Sequence, residues 1–129
     1  MTGRNDPLEN KRPDPPPGRG EIWLVDLNPT VGSEIQKTRP CVVISSDFMG
    51  KLPVKLVVPI TEWNAIFRDN VWHVRIDPTP LNKLTKPGAL DVIQLRAVDT
   101  ARFKRKIGVC EADILVEASA AIAAVVEYE

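Results

Sequence analysis

Short apolar runs, each closed by a turn residue such as proline, glycine or asparagine, recur roughly every 10–17 residues between Ile22 and Val109. A strand–helix–strand unit needs about 30 residues, so this spacing disfavours a parallel α/β sheet and predicts a small, closed antiparallel one. The first run is Ile22–Leu27, ended by Asn28–Pro29. Arg39–Pro40 opens Cys41–Ile44, whose β-branched residues should be buried on both faces. Val54–Ile60 is the third run, and Pro59 inside it predicts a sheet edge or a bulge. Val71–Asp77 alternates, with Trp72, Val74 and Ile76 on one side and His73, Arg75 and Asp77 on the other. Gly88–Val98 supplies one or two strands and Lys106–Val109 another.

Glu111–Val126 reads as a helix. Glu111 and Asp113 lie near its start, where negative charge suits the helix dipole, and Ile114, Ala118, Ala121, Ile122 and Val125 form one stripe. Val116, Ala120, Ala123 and Ala124 make the rest of its surface apolar too. Either small alanines are simply tolerated in water, or the helix packs against a subunit or partner as well.

Residues 1–18 hold Pro7, Pro13, Pro15, Pro16 and Pro17 but only Met1 and Leu8 as sizeable apolar groups. Such a stretch is expected to be a disordered or polyproline-like arm, without an assigned function, ahead of a domain over 19–129. No apolar run approaches the ~20 residues of a membrane span, and the polar start is no signal peptide. Cys41 and Cys110 sit in apolar runs and read as buried thiols of a reducing cytoplasm. Lys plus Arg and Asp plus Glu number 17 each, so a nucleic-acid partner would have to be gripped by a local patch.

One histidine and two isolated cysteines cannot build a zinc site, and no glycine-rich phosphate loop is present. His73, between Trp72 and Val74, reads as a packing residue rather than a base, and neither cysteine has an evident histidine partner. What remains is polar residues at strand ends and loops: Glu34 after Gly32–Ser33, Arg39 stiffened by Pro40, Thr61 closing a run, and Gln94 and Arg96 on one side of a strand. Strand ends are polar wherever they reach water, and that alone would account for these residues.

Five ordered segments point further. Gly20-Glu21-Ile22-Trp23-Leu24-Val25-Asp26-Leu27-Asn28-Pro29 leads into Val31-Gly32-Ser33-Glu34 and then Lys37-Thr38-Arg39-Pro40-Cys41-Val42-Val43-Ile44-Ser45. Val58-Pro59-Ile60-Thr61 and Val92-Ile93-Gln94-Leu95-Arg96-Ala97-Val98-Asp99 follow in order. This pattern resembles the MazF/PemK family of toxins from bacterial toxin–antitoxin pairs, over residues 19–129. The resemblance implies a mainly β (α+β) fold of the CcdB/MazF kind: an SH3-like barrel of five to seven strands with a C-terminal helix, assembled as a homodimer. It also implies a cytoplasmic, metal-independent endoribonuclease that needs no cofactor, cuts single-stranded RNA at short sequences and is masked by a cognate antitoxin. By the same resemblance Arg39 and Thr61 are catalytic, while Gly32, Ser33, Glu34, Gln94 and Arg96 contact substrate.

The chemistry of these residues agrees. RNA carries its own nucleophile, the 2′-OH, so the enzyme must align the attack and stabilise charge on phosphorus. A guanidinium presents a fixed, always-protonated fork to phosphate oxygens, and a threonine hydroxyl can hold the phosphate in line. Glu34 is the acidic candidate in motif terms for taking the 2′-OH proton. Trp23, Arg96 and the Gly32–Glu34 loop are candidates for reading bases, although a first-strand tryptophan also suits a core. Arg102, Lys104, Arg105 and Lys106 form a basic patch that could track phosphates or simply be solvated. Glu62–Asn70, with Trp63 and Phe67, matches no family element and is expected to form a loop flanking the groove. Two other readings stay open: a non-enzymatic toxin of the gyrase-poison kind on the same barrel, and a catalytically silent SH3-like binding module.

Overall fold

The computed structural model describes residues 7–128. Within them the chain forms seven strands, β1 (Glu21–Asp26), β2 (Thr38–Val43), β3 (Val54–Glu62), β4 (His73–Ile76), β5 (Gly88–Asp91), β6 (Arg96–Asp99) and β7 (Phe103–Val109), then a helix α1 (Ala112–Val125). The strands make one antiparallel sheet in the order β4-β5-β3-β2-β1-β7, with β6 also paired to β3. The Gly88–Val98 segment is thus two strands, separated by a tight turn over Val92–Gln94.

β-branched residues on both faces of β2 let one strand serve two cores. Val42 and Ile44 pack with Ile22, Val58, Ile60, Ile76 and Leu90 beneath the helix. Cys41 and Val43 point the other way, to Val25, Leu27, Val57, Val98 and Phe103. The helix sits on the first cluster through Ala118 and Ala121, which are buried, with Ile114, Leu115, Ile122 and Val125 around them. Both cysteines are buried free thiols, and burial pushes each pKa up to about 12.

Two expectations need correction. Pro59 lies inside the sheet, paired to Cys41 of β2, not at an edge. It is tolerated because β3 changes neighbour there. Residues Val54–Val57 pair with β6 and Ile60–Glu62 with β5, so the missing N–H falls between two ladders. The arm is also not free chain, at least over residues 7–18; residues 1–6 lie outside the described ones. Pro17 is fully buried, and the Arg12 guanidinium grips Asp99 with two bonds, Nε to Oδ1 at 3.1 Å and Nη2 to Oδ2 at 2.9 Å. Prolines lose little entropy on docking, so a bidentate pair and one buried ring, Pro17, suffice.

Candidate active site

The β2–β3 ladder runs from Val43 opposite Val57 to Cys41 opposite Pro59. Arg39 lies two residues before Cys41 on β2 and Thr61 two residues after Pro59 on β3, so both sit beyond the same end of this ladder. Both line a cleft of about 320 Å3, together with Pro40, Ile60, Glu62 and the segment Leu84–Gly88. Arg39 is exposed, and its Nε donates to the Gln36 carbonyl at 3.1 Å. Among the described residues its two terminal nitrogens have no hydrogen-bond partner, which leaves them to the cleft. Thr61 is half-buried and pairs across β3–β5 with Ala89. Close approach of β5 requires Gly88: a Cβ there would lie 2.7 Å from Ile60 Cγ2 and 3.0 Å from the Thr61 carbonyl oxygen.

The remaining expected residues gather elsewhere on the same face of β3. Glu34, Gln94 and Arg96 line a second cleft of about 370 Å3 with Ile35, Pro59, Ile93 and Leu95. Pro59 and Thr61, two apart on β3, connect one cleft to the other. Here the polar side chains largely hold the β1–β2 loop. Gln94 accepts the Ile35 amide at 3.1 Å and donates to the Ser33 carbonyl at 3.2 Å. Arg96 Nη1 donates to the Leu27 carbonyl at 2.9 Å, and Arg102 Nη1 donates to the carbonyls of Asp26, at 3.2 Å, and Asn28. Glu34 accepts the Val31 amide at 2.8 Å, closing a turn in which Gly32 takes φ +57°. Glu34 is not among the residues lining the Arg39–Thr61 cleft; the carboxylate that does so is Glu62, paired to Lys86 at 3.2 Å.

The basic patch divides. Arg102 turns inward to the loop and Lys106 pairs with Glu21 at 3.2 Å. Burial would raise the Glu21 carboxyl, but the Gly18 amide, the Trp23 indole N–H and Lys106 together hold it below its ordinary value. Trp23 itself packs edge-on to Phe103 at 5.8 Å, a core role. His73 is a packing residue too: it stacks on Phe67 at 3.7 Å and bonds Asn70 through Nδ1 at 2.9 Å. The Glu62–Asn70 segment flanks the first cleft, with the Trp63 amide donating to the Pro87 carbonyl at 3.1 Å. Sequence reasoning missed Glu62, Lys86 and the Leu84–Gly88 wall; the Lys-Pro-Gly string at 86–88 was the available signal.

Residues 18–126 match the family described as PemK-like, MazF-like toxin of type II toxin-antitoxin system. The chain belongs to this toxin family. Among curated relatives it is similar to Endoribonuclease MazF9 of Mycobacterium tuberculosis, 35% identical over 96 residues spanning 70% of this chain and 79% of that protein. It is 32% identical over 106 residues to Endoribonuclease MazF of Staphylococcus epidermidis, spanning 81% and 86%. The crystal structure of MazF from Deinococcus radiodurans shares the fold, with TM-score 0.71 and 20% identity over 86% of this chain and 96% of that one. So does an endoribonuclease solved in complex with its cognate antitoxin from a mycobacterial species, with TM-score 0.69 and 15% identity over 88% and 97%. The toxin fold thus extends over β1 to α1. Among the described residues no helix is long and apolar enough to cross a membrane.

Proposed function

We propose that this toxin is an endoribonuclease acting on single-stranded RNA in the cytoplasm, and that Arg39 and Thr61 are its catalytic residues. The observation that carries this reading is their convergence on one cleft from two neighbouring strands. The scissile phosphate lies between them. The 2′-oxygen of the preceding ribose attacks phosphorus, the P–O5′ bond breaks, and the products are a 2′,3′-cyclic phosphate and a 5′-OH. Arg39 supplies fixed positive charge to the phosphoryl oxygens as negative charge gathers, and the Thr61 hydroxyl donates to the same group. Arginine is too weak an acid to serve as the base, since its pKa exceeds ~12. Glu62, the carboxylate lining this cleft, takes the 2′-OH proton, and the departing 5′-oxygen is protonated from solvent. Gly32, Ser33, Glu34, Gln94 and Arg96 form the neighbouring subsite, with Gln94 and Arg96 setting the shape of the loop that meets the RNA.

A cognate antitoxin masks this face. A second copy of the chain covers the outer side of α1, where Val116 is 69% exposed, and the residues after it, where Tyr128 is 79% exposed. The test is to incubate the protein with a long single-stranded RNA in EDTA and analyse the fragment ends. Cyclic phosphate and 5′-OH ends support the reading, and deoxy substrate of the same sequence should stay intact. No cleavage, or cleavage only on adding magnesium, would overturn it.

A further inference from the structure

A second guanidinium shares the row of Thr61. Thr61 pairs with Ala89 of β5, and Ala89 pairs in turn with Arg75 of β4. In antiparallel pairs, directly opposed residues point to the same face. The row therefore reads Thr61, Ala89, Arg75, with a buried alanine as a low floor between Thr61 and Arg75, while β2, which carries Arg39, lies on the other side of β3. Arg75 lies two strand spacings from Thr61, about 10 Å, too far to share the scissile phosphate but placed for a neighbouring nucleotide.

The Arg75 side chain is not loose. Its guanidinium carbon sits 4.8 Å from the centre of the Trp63 ring, and Trp63 is braced edge-on by Phe67 at 5.9 Å. Phe67 in turn stacks on His73, the residue two before Arg75 on β4. Arg75 Nε also donates to Asp77 Oδ1 at 3.0 Å, yet the arginine side chain remains 48% exposed. One face of the guanidinium is thus backed by an indole, while much of the side chain still meets solvent. Asp77 offsets its charge, which favours a flat base over a second phosphate; unpaired bases stack on guanidinium planes as they do on aromatic rings.

We infer that Arg75, backed by Trp63, is a base-stacking subsite for the RNA nucleotide flanking the scissile bond on the side of Thr61 away from Arg39. This rests on the endoribonuclease reading above. It gives the Glu62–Asn70 segment, which carries Trp63 and Phe67, a part in substrate choice.

The experiment compares the full-length wild type with Arg75→Ala, Arg75→Lys, Trp63→Ala and Trp63→Phe, each checked for fold by circular dichroism. Steady-state cleavage of a defined single-stranded RNA in EDTA is combined with mapping of fragment 5′ ends on a long RNA. Arg75→Ala and Trp63→Ala should still cut, with KM raised about tenfold and a relaxed preference at one flanking nucleotide, as expected for loss of one stacked base. Trp63→Phe, which keeps a ring under the guanidinium, should recover most of the loss, and Arg75→Lys, which keeps only the charge, should not. Wild-type KM and cleavage pattern in both alanine variants would overturn the subsite while leaving the endoribonuclease reading standing. The same result with weakened capture by the antitoxin would assign the pair to protein recognition and equally overturn it. A wild type that cuts no RNA would overturn the underlying reading, and the subsite with it.

Discussion

The Gln94 side chain and the Ile35 backbone are joined at 3.1 Å across the second cleft, and the same amide reaches back to the Ser33 carbonyl at 3.2 Å. A residue expected from the family pattern to touch substrate is thereby a clamp on the loop that would meet it. Gln94→Ala removes both bonds, each worth roughly 1 kcal/mol. KM for RNA should rise roughly tenfold, with a smaller effect on kcat, because the loop loses its shape while Arg39 and Thr61 stay in place. Steady-state kinetics on one short RNA checks this. An equal fall in kcat with unchanged KM would place Gln94 at the reacting phosphate instead.

Asn82 is a buried hub behind the wall of the first cleft. Its side chain accepts the amides of Thr79 and Leu84, both at 3.0 Å, and donates to the Asp77 carbonyl at 2.9 Å and to Glu111 Oε1 at 3.1 Å. Asn82→Ala leaves these groups without their partner in a closed site, and stability should fall by about 2–4 kcal/mol. Chemical denaturation measures it directly. A change under about 0.5 kcal/mol would mean that water replaces the amide at no cost.

The arm should release in acid. The Arg12 hydrogen bonds hold the Asp99 carboxyl below its ordinary value. A carboxylate depressed in the docked state stabilises docking above its ordinary pKa and loses that contribution as pH falls through the lowered, docked-state value. Limited proteolysis of residues 7–18 should therefore be slow at neutral pH and faster below about pH 4, with Arg12→Ala fast at both. Since the pair is only partly buried and ties down a short arm, Arg12→Ala should cost the whole domain no more than about 1–2 kcal/mol. Equal protection in wild type and variant at neutral pH would mean that the prolines alone hold the arm.

Much of this was legible in the sequence because burial leaves a local trace. The β-branched run at Cys41–Ile44 announced a strand sandwiched between two cores, and alternation at Val71–Asp77 announced Val74 and Ile76 as inward, but Trp72, expected on the same side, lies before β4 and is 39% exposed. Pro59 misled because proline restricts a strand only where a neighbour needs its N–H, and β3 changes neighbour at that point. The arm misled because one long-range pair, Arg12 with Asp99, lies 87 residues apart and leaves no local signature. For the candidate site, the order of short motifs singled out Arg39 and Thr61, which line one cleft. It could not tell that Gln94 and Arg96 turn toward loop carbonyls, since direction depends on tertiary contacts. Nor could it show the Arg75–Trp63 contact, which joins β4 to the end of β3 through the packing of a segment with no recognised pattern.

The most direct test is the single-turnover cleavage rate of Arg39→Ala on a single-stranded RNA in EDTA, beside wild type and with fold checked by circular dichroism. Loss of one preorganised charge donor at a developing phosphorane should lower the rate about 100- to 1,000-fold with the fold intact. A folded Arg39→Ala protein that cuts at the wild-type rate would contradict catalysis at this cleft.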